Sequence, residues 1–439
     1  MVNKAFILKN PYLVIKSREQ IRQVYEKRNF RIGEDIVPFF VTANLITEKQ
    51  MTNLNSKIDT MTNITNKVIN AYLNKCMFEN VFNFSEKEKE VMKIERGYET
   101  VNLFNRYDLF FYGDSFKVIE INADSPGFVA QLGLTDTIYL ESVFFSEFKK
   151  KNKIRKLPDM KKTLLKSLIK TYNEFGGRKK RPSIALVDWH NVKTMYDQYY
   201  TQEYFQSEGY PTFVCQPPDL KYKNKKLAYK GKKIDIIYRR FLSQDYLKEP
   251  KKFRPILNAL KDKAVCMVNP FVSTIVNDKS FLSKLAAGRF DKILTEKEKE
   301  VVKEVIPWSI ELNDITVKMY QGRKGMKNYI IKNKNKLVLK PAADYGGNDV
   351  FVGDVTDKKT WEKATNKALK EKKWVVQELL DIPEIEVPII DKKVKFENRY
   401  LNLCPYVIEG KVAGFLTRVS ASKIINICKG GGVIPTFVR

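Results

Sequence analysis

The sequence VIEINADSPG occupies residues 118–127 and reads as a β-strand that stops at a Ser-Pro-Gly turn. Side chains two apart on a strand point to the same face of a sheet. Glu120 and Asn122 are therefore predicted to share one face with Val118, and the isoleucines at 119 and 121 to face the other way. A carboxylate and a carboxamide side by side are unexpected at the end of an apolar strand, and the preceding segment suggests why they are there.

The preceding segment, NLFNRYDLFFYG, reads as the first strand of a β-hairpin with a turn at residues 113–115. A three-residue turn would put Asp108 across from Glu120. The same register would put Arg106 across from Asn122, so that all four side chains project to one side. A two-residue loop would shift the register by one and scatter them to opposite faces.

These four polar side chains admit two interpretations. Two carboxylates and an amide oxygen at close range are hard oxygen ligands suited to Mg²⁺, and without a cation the paired carboxylates would repel each other. Alternatively, Arg106 simply neutralises the carboxylates in a surface cross-strand network. The hairpin alone leaves both interpretations open.

The composition bounds the class of protein. The chain has 439 residues, which predicts two or three domains, and 43% of them are hydrophobic, enough for a large core. No apolar run approaches the roughly 18 residues that span a bilayer, and we expect no secretory signal at the N-terminus. The five cysteines match no zinc or redox spacing, which predicts reduced thiols and a cytoplasmic location. The single histidine, His190, argues against histidine-based triads and multi-histidine metal sites.

The formal net charge of +28 also has two interpretations. Such a charge attracts a polyanion, for example nucleic acid or an anionic membrane surface. The other interpretation is a lysine-rich background spread along the chain, because lysine solvates well and bidentate phosphate recognition favours arginine. We favour the second, since charge alone bears on solubility and non-specific binding.

Three further motifs could bind phosphate or a nucleobase. Lys340 ends a predicted strand before Gly346 and Gly347, an arrangement in which an ammonium and backbone N–H groups approach phosphate oxygens. Gly-Gly turns are also ordinary hairpin chemistry. The run QELL at residues 377–380 is either a strand leaving the core or a hinge whose backbone binds adenine. Arg418, in FLTRVS, is either a surface arginine or part of a phosphate site.

From residue 181 the pattern changes to short apolar strands, SIALVDW, PTFVCQ, IDIIYRRF and AVCMVNPF, with helical segments between them. Such alternation predicts a parallel α/β sheet. Ligands of open α/β sheets bind beyond the strand ends, where Asp188, His190 and Arg239 stand. These three are candidates for substrate contact, and each is alternatively a loop cap or a salt-bridge partner.

The order of these parts resembles the circularly permuted ATP-grasp enzymes, and within them the glutathionylspermidine synthase type. The resemblance lies in RYD followed by EINADSPG, an NDK-helix, VLKPAADYGG, the Gln-Glu pair and a late arginine, and it covers roughly residues 96–439. Ordinary ATP-grasp enzymes carry the Glu-x-Asn strand near the end of the domain, whereas here it precedes the nucleotide-lid segment. The implied fold class is α/β, or α+β with a parallel α/β subdomain, in a circularly permuted ATP-grasp arrangement.

The resemblance implies a role for each matched residue, with ATP and Mg²⁺ as cofactors. The residues that would ligate Mg²⁺ are Asp108, Glu120 and Asn122. The residues that would act on the acyl-phosphate or transferring phosphoryl group are Arg106 and Arg418. The residues that would bind ATP are Lys279, Lys340, Gly346, Gly347, Gln377, Glu378 and Leu380.

The chain is accordingly divided into five segments. They are a mainly helical region at 1–95, a permuted core segment with the Mg-binding hairpin at 96–147, a basic helical connector at 148–180, an α/β substrate domain at 181–276, and a nucleotide-binding region at 277–439 with its lid at 336–380.

The implied activity is an ATP-dependent carboxylate–amine ligase. ATP would phosphorylate a substrate carboxylate, and an amine would attack the acyl phosphate to give an amide, ADP and phosphate. Such phosphoryl transfer needs positioning and charge neutralisation more than acid–base groups. The substrates would be small molecules, such as an amino acid, a peptide or a polyamine, and no membrane partner is expected. The alternatives are a basic nucleic-acid-binding protein and a degenerate member that binds nucleotide without ligating.

Overall fold

The computed structural model describes residues 4–75, 77–343, 349–391, 393–427 and 430–439. The α-helices of these residues are α1 Lys4–Lys9, α2 Pro11–Lys27, α3 Glu48–Lys75, α4 Glu86–Met92, α5 Val129–Glu141, α6 Val143–Lys151, α7 Met160–Glu174, α8 Met195–Ser207, α9 Ser243–Lys248, α10 Arg254–Lys261, α11 Thr274–Asn277, α12 Ser280–Ala286, α13 Glu296–Val305, α14 Asp314–Met319, α15 Gly322–Lys332 and α16 Lys358–Glu371. None of these described helices combines the length and the hydropathy that crossing a membrane requires.

The β-strands of the described residues form several separate sheets. They are β1 Arg31–Ile32, β2 Asp35–Ile36, β3 Asn44–Ile46, β4 Phe104–Tyr112, β5 Ser115–Asn122, β6 Ile184–Val187, β7 Thr212–Cys215, β8 Leu220–Lys223, β9 Lys226–Tyr229, β10 Lys232–Lys233, β11 Ile236–Arg239, β12 Cys266–Val268, β13 Ser309–Glu311, β14 Leu337–Pro341, β15 Phe351–Val352, β16 Trp374–Glu378, β17 Glu384–Ile390, β18 Val394–Ile408, β19 Lys411–Ser420, β20 Gly431–Ile434 and β21 Thr436–Val438.

A six-stranded antiparallel sheet joins the early and the late parts of the chain. Its order is β20-β19-β18-β4-β5, and β17 pairs with the first half of β18. β18 is 15 residues long and pairs with β17, β19 and β4 along its length. The hairpin β4–β5 is thereby placed at the edge of a sheet whose other strands come from the end of the chain.

The hairpin has the predicted register but not the predicted turn. Tyr112 pairs with Ser115, so the turn contains two residues, and the prediction of three is wrong. Ile119 is an extra residue in β5 that has no partner in β4, which makes it a β-bulge. The bulge moves the register back by one, so that Asp108 pairs with Glu120 as predicted.

The bulge also reverses the alternation of side chains along β5. Val118 and Ile121 both point into the core, with 0% and 2% of their surface exposed. The prediction that Val118 shares the face of Glu120 is therefore wrong. Beyond the bulge Arg106 pairs with Asn122, and the four polar side chains of the hairpin lie on one face as predicted.

The apolar face of the hairpin packs against the N-terminal helices. The long helix α3 contributes Leu54, Ile58 and Met61 to the hydrophobic cluster that also contains Leu109 and Val118. All five side chains are fully buried, and such burial removes apolar surface from water at roughly 25 cal/mol per Å². The energetic requirement to bury this face fixes the polar side chains of the hairpin on the opposite one.

The four predicted strands of the α/β segment form the expected parallel sheet, in the order β12-β11-β6-β7. Every residue of β6 and β11 is buried, as is typical of parallel strands, which other elements cover on both faces. A third sheet, in the order β13-β16-β14-β15, is antiparallel and packs with α15 and α16 around Trp361 and Trp374. The division of the chain into five segments stays a prediction.

A buried salt bridge fastens the turn after β5 to the parallel sheet. Asp124 Oδ1 lies 2.6 Å from Arg239 Nη1, and neither side chain is more than 4% exposed. Asp124 also accepts hydrogen bonds from the backbone N–H and the hydroxyl of Ser243, at 2.6 and 2.7 Å. Arg239 donates in addition to the carbonyl of Asn269 and to the hydroxyl of Ser273. These contacts set where the end of β5 lies relative to the α/β segment.

Removing one partner of this bridge leaves an uncompensated buried charge. We expect Asp124→Asn to lower the free energy of unfolding by about 3–5 kcal/mol, measured by urea denaturation. The control is Glu90→Gln, because the Glu90–Lys261 ion pair is more than half exposed at both ends, and its loss should cost less than about 1 kcal/mol. Equal losses in the two variants would contradict the anchoring role of Asp124.

Candidate active site

One cavity lies between the six-stranded sheet and the sheet of β13–β16. The predicted site residues that line it are Arg106, Asp108, Glu120, Asn122, Lys279, Lys340, Gln377, Glu378, Leu380 and Arg418. Two further predicted residues, Gly346 and Gly347, lie outside the described residues. The fold thus gathers side chains that are widely separated in the sequence.

A carboxylate between two guanidinium groups forms one wall of the cavity. Arg106 Nε lies 2.9 Å from Asp108 Oδ1, and Arg418 Nη2 lies 2.6 Å from Asp108 Oδ2. Burial alone would raise the pKa of Asp108, but the two arginines outweigh it and lower the pKa to about 2. Asp108 therefore stays ionised at neutral pH, and one of the two arginine charges is left uncompensated. That charge surplus suits an anionic ligand.

The three predicted magnesium ligands differ in how far their oxygens are already engaged in ion pairs and hydrogen bonds within the protein. Glu120 faces the cavity and pairs with Lys279, with 3.3 Å between Oε1 and Nζ. Asn122 donates from Nδ2 to Asp108 Oδ1 at 3.2 Å, so its amide oxygen points away from Asp108. Both oxygens of Asp108 are engaged by guanidinium groups. Glu120 and Asn122 thus fit as hard oxygen ligands, whereas Asp108, held between two guanidinium groups, fits less well.

A cation in this cavity would depend on mixed carboxylate and amide donors. Within the part of the chain that the structure describes, no group of three or more His, Cys, Asp or Glu side chains is arranged to hold a metal ion. Oxygen donors of this mixed kind suit Mg²⁺, which usually keeps several waters and takes only one or two protein carboxylates.

Lys340 connects the bulge in β5 to the sheet of β13–β16. Its Nζ donates to the carbonyl oxygen of Ile119 at 2.9 Å and to Gln377 Oε1 at 3.0 Å. Burial lowers the pKa of Lys340 to about 8, because neighbouring Lys279 adds to the effect and Glu120 only partly opposes it. An ammonium has three N–H donors, and among the described residues Lys340 uses two of them, which leaves the third for a ligand in the cavity.

The end of β16 and the segment after it lie beside an apolar slot, and the hydrogen bonds of Glu378 and Leu379 hold this part of the chain in place. Glu378 is committed to the protein, because its carboxylate accepts from Trp308 N at 2.7 Å while its own N–H donates to Trp308 O at 2.9 Å. Leu379 N donates to Lys336 O at 2.8 Å. The apolar residues of the slot are Val338, Val352, Leu380, Ile382, Ile424 and Ile425. Apolar walls with a few placed polar groups are typical of sites for a flat ligand such as a nucleobase.

The three candidates for substrate contact do not line this cavity. Arg239 is enclosed in the salt bridge that anchors the turn after β5. Asp188 accepts hydrogen bonds from Trp189 N at 2.9 Å and Gln198 Nε2 at 2.6 Å, and burial raises its pKa to about 6. His190 is exposed next to it. Contact of these residues with a substrate stays a prediction.

Two polar residues of the cavity wall were missed by sequence reasoning. Asn402 lies directly opposite Arg418 in the pairing of β18 with β19, and Lys423 forms an ion pair with Asp354. A signal for Asn402 exists, because it is a carboxamide inside the run YLNLCPYV, the same kind of interruption as in EIN. Nothing near Lys423 distinguishes it from the many other lysines of the chain.

Comparisons with known proteins identify the family and the fold. Residues 89–420 match the family described as circularly permuted ATP-grasp type 2. A glutathione synthetase-like effector from Globodera pallida, solved in its apo form, has a TM-score of 0.62 and 12% sequence identity, covering 98% of this chain and 97% of that chain. At this identity the likeness is one of fold alone. A candidate γ-glutamylcysteine synthetase from Methylobacillus flagellatus KT has a TM-score of 0.44 and 12% identity, covering 91% and 89%. No curated protein sequence matches the chain.

The family match covers most of the chain, including every strand from β4 to β19. It confirms the predicted circularly permuted fold and the predicted enzyme class, and it gives no support to a nucleic-acid-binding protein. The chain belongs to the circularly permuted ATP-grasp type 2 family and is an ATP-grasp carboxylate–amine ligase.

Proposed function

We propose that this enzyme joins a small-molecule carboxylate to an amine through an acyl-phosphate intermediate, with Mg²⁺ and with conversion of ATP to ADP and phosphate. The observation that carries the proposal is that two guanidinium groups, both in contact with Asp108, and two ammonium groups line one cavity together with Glu120 and Asn122, beside an apolar slot. Phosphoryl transfer requires this kind of fixed positive charge around the moving group, and little acid–base chemistry.

The charges of the cavity support the requirement for a divalent cation. The cavity is lined by five positive side chains, Arg106, Arg418, Lys279, Lys340 and Lys423, and by three carboxylates, Asp108, Glu120 and Glu378, which leaves a surplus of two positive charges. A nucleoside triphosphate carries more negative charge than that surplus. Mg²⁺ would be held by the oxygens of the hairpin, and when bound it would neutralise charge on the phosphate oxygens.

The side chains then have distinct tasks in our proposal. Lys279 and Lys340 bind the phosphates of ATP, while the apolar slot and the backbone after β16 bind adenine. Arg106 and Arg418 hold the transferring phosphoryl group and the substrate carboxylate close together. Asp108 would be the third oxygen ligand of the cation, beside Glu120 and Asn122.

The bond changes follow from this placement. A carboxylate oxygen attacks the γ-phosphorus, and the bond from that phosphorus to the bridging oxygen breaks, so that ADP leaves. The amine nitrogen attacks the acyl carbon, the phosphate leaves with the bonding electron pair, and the nitrogen loses a proton. The products are an amide, ADP and phosphate.

The remaining assignments extend the same proposal. The substrates are an amino acid, peptide or polyamine, bound by the α/β segment at 181–276, and Gly346 and Gly347 cover the phosphates as part of the lid at 336–380. The cysteine spacing supports a cytoplasmic location.

The direct test is the release of phosphate from ATP by the purified protein with Mg²⁺ and a panel of carboxylic acids and amines. We expect phosphate release to require both an acid and an amine, and an amide product to be detected by mass spectrometry. Release that no added substrate stimulates would contradict the proposal.

Glu120→Ala should abolish ADP formation, because it removes the carboxylate that faces both Lys279 and the proposed cation. The circular dichroism spectrum and the melting temperature should stay close to those of the wild-type protein. The matched control is Asp114→Ala, which removes an exposed carboxylate from the turn of the same hairpin and should leave activity unchanged. Full activity of Glu120→Ala would exclude the metal role.

Lys340→Met should weaken the binding of a non-hydrolysable ATP analogue by about 10- to 100-fold, since a charge-assisted hydrogen bond is lost. Titration calorimetry measures this affinity. Lys332→Met, which removes an exposed lysine from α15, is the control and should bind normally. Unchanged affinity in Lys340→Met would count against the placement of the phosphates.

The affinity of the wild-type protein for this analogue should also depend on pH. The pKa of Lys340 in the free protein is lowered to about 8, and phosphate binds the protonated form. Affinity is therefore retained below pH 8 and falls as the pH rises through 8, by at most tenfold per pH unit. This part of the pH dependence should be absent from Lys340→Met, and its persistence there would assign it to another group.

A further inference from the structure

Asn402 and Arg418 form a cross-strand pair inside the cavity wall. They lie directly opposite each other in the pairing of β18 with β19. Asn402 is 2% exposed, so its carboxamide is a buried polar group that must be hydrogen-bonded to be tolerated. Directly opposed side chains on neighbouring strands are close enough to interact.

The hydrogen bonds of Asn402 fix the direction of its amide. Its Nδ2 donates to the backbone carbonyl of Leu109 in β4 at 2.9 Å. The oxygen therefore faces the other way, where it accepts from Arg418 Nε at 3.1 Å and also from Arg418 Nη2. Cys404 Sγ contributes a further contact to the same oxygen, at 2.9 Å. The amide of Asn402 is therefore held by β4 and in turn holds the side chain of Arg418 in β19.

These contacts leave one edge of the guanidinium group for a ligand. Nε and Nη2 of Arg418 are taken by Asn402, and Nη2 is shared with Asp108. Within the described part of the chain, Nη1 of Arg418 makes no hydrogen bond. Because Arg418 lines the cavity, Nη1 is the donor that remains for an anion there.

The neutrality of Asn402 is as important as its shape. Asp108 already compensates one of the charges of Arg106 and Arg418. A carboxylate at position 402 would accept the same hydrogen bonds from Arg418 but would cancel the second charge. An amide oxygen fixes the guanidinium group and leaves its charge available to the phosphoryl group.

We propose that Asn402 is a positioning residue for the ligase reaction: it orients Arg418 so that Nη1 meets the transferring phosphoryl group, without neutralising the arginine. The inference rests on the proposed function and deepens it, because it names what holds the arginine. Misplacing a group of this kind by about 1 Å costs up to about 100-fold in rate.

The test uses Asn402→Ala and Asn402→Asp in the full-length protein, with ADP formation measured on the acid and amine that the wild-type protein accepts. We expect Asn402→Ala to lower kcat by 10- to 100-fold while the KM for ATP changes less than threefold. Asn402→Asp keeps the size of the side chain and should lower kcat at least as far. Asn398→Ala, which removes an exposed asparagine from the same strand, should leave kcat unchanged.

A second experiment distinguishes positioning of Arg418 from a purely structural role of Asn402. It repeats Asn402→Ala in an Arg418→Lys background, because lysine lacks the guanidinium edge that Asn402 holds. In that background we expect Asn402→Ala to change kcat less than twofold. An equal loss in both backgrounds, or no loss in either, would overturn the inference while leaving the ligase function intact. A wild-type protein that forms no ADP with any substrate would overturn the proposed function, and the inference with it.

Discussion

A single extra residue in β5, Ile119, lets the strand direct Val118 and Glu120 to opposite faces of the sheet. Val118 must point into the core formed with α3, and Glu120 must point into the cavity, yet residues two apart on a regular strand share a face. Because the bulge inserts a residue without a partner between them, Val118 and Glu120 point to opposite faces. The displaced carbonyl of Ile119 then accepts a hydrogen bond from Lys340. The bulge that directs Glu120 to the cavity therefore also binds the ammonium group of Lys340, which belongs to the sheet of β13–β16.

Ion pairs hold the charged side chains of the cavity in fixed positions, because Asp108 and Glu120 each pair with at least one positively charged side chain. Asp108 lies between Arg106 and Arg418, and Glu120 lies beside Lys279. Burying such groups without partners would be costly, and with their partners the cations are held in fixed positions around the cavity. Fixed dipoles and charges of this kind need no reorganisation during a reaction, which is why they contribute strongly to catalysis.

Much of the fold and site could be predicted from the sequence, because polar interruptions in apolar strands are local signals. EIN, LVLKP and FLTRVS each revealed cavity residues, and the order of the motifs indicated the permuted fold. The bulge at Ile119 left no local signal, because it depends on the register set by a two-residue turn and on the burial of Val118 in the core. Asn402 was missed because its role appears only when β18 lies against β19. The salt bridge of Arg239 with Asp124 could not be foreseen, because it depends on packing between distant parts of the chain.

The central claim is that the bulge places Glu120 and Asn122 on the cavity side of β5, where they hold the divalent cation of a bound nucleotide. Diffraction from crystals grown with Mn²⁺ and a non-hydrolysable ATP analogue tests this most directly, because the anomalous signal locates the metal. Our account predicts a metal peak about 2.1 Å from oxygens of Glu120 and Asn122, with the phosphates beside Lys340. A nucleotide-bound metal that contacts neither side chain would contradict it.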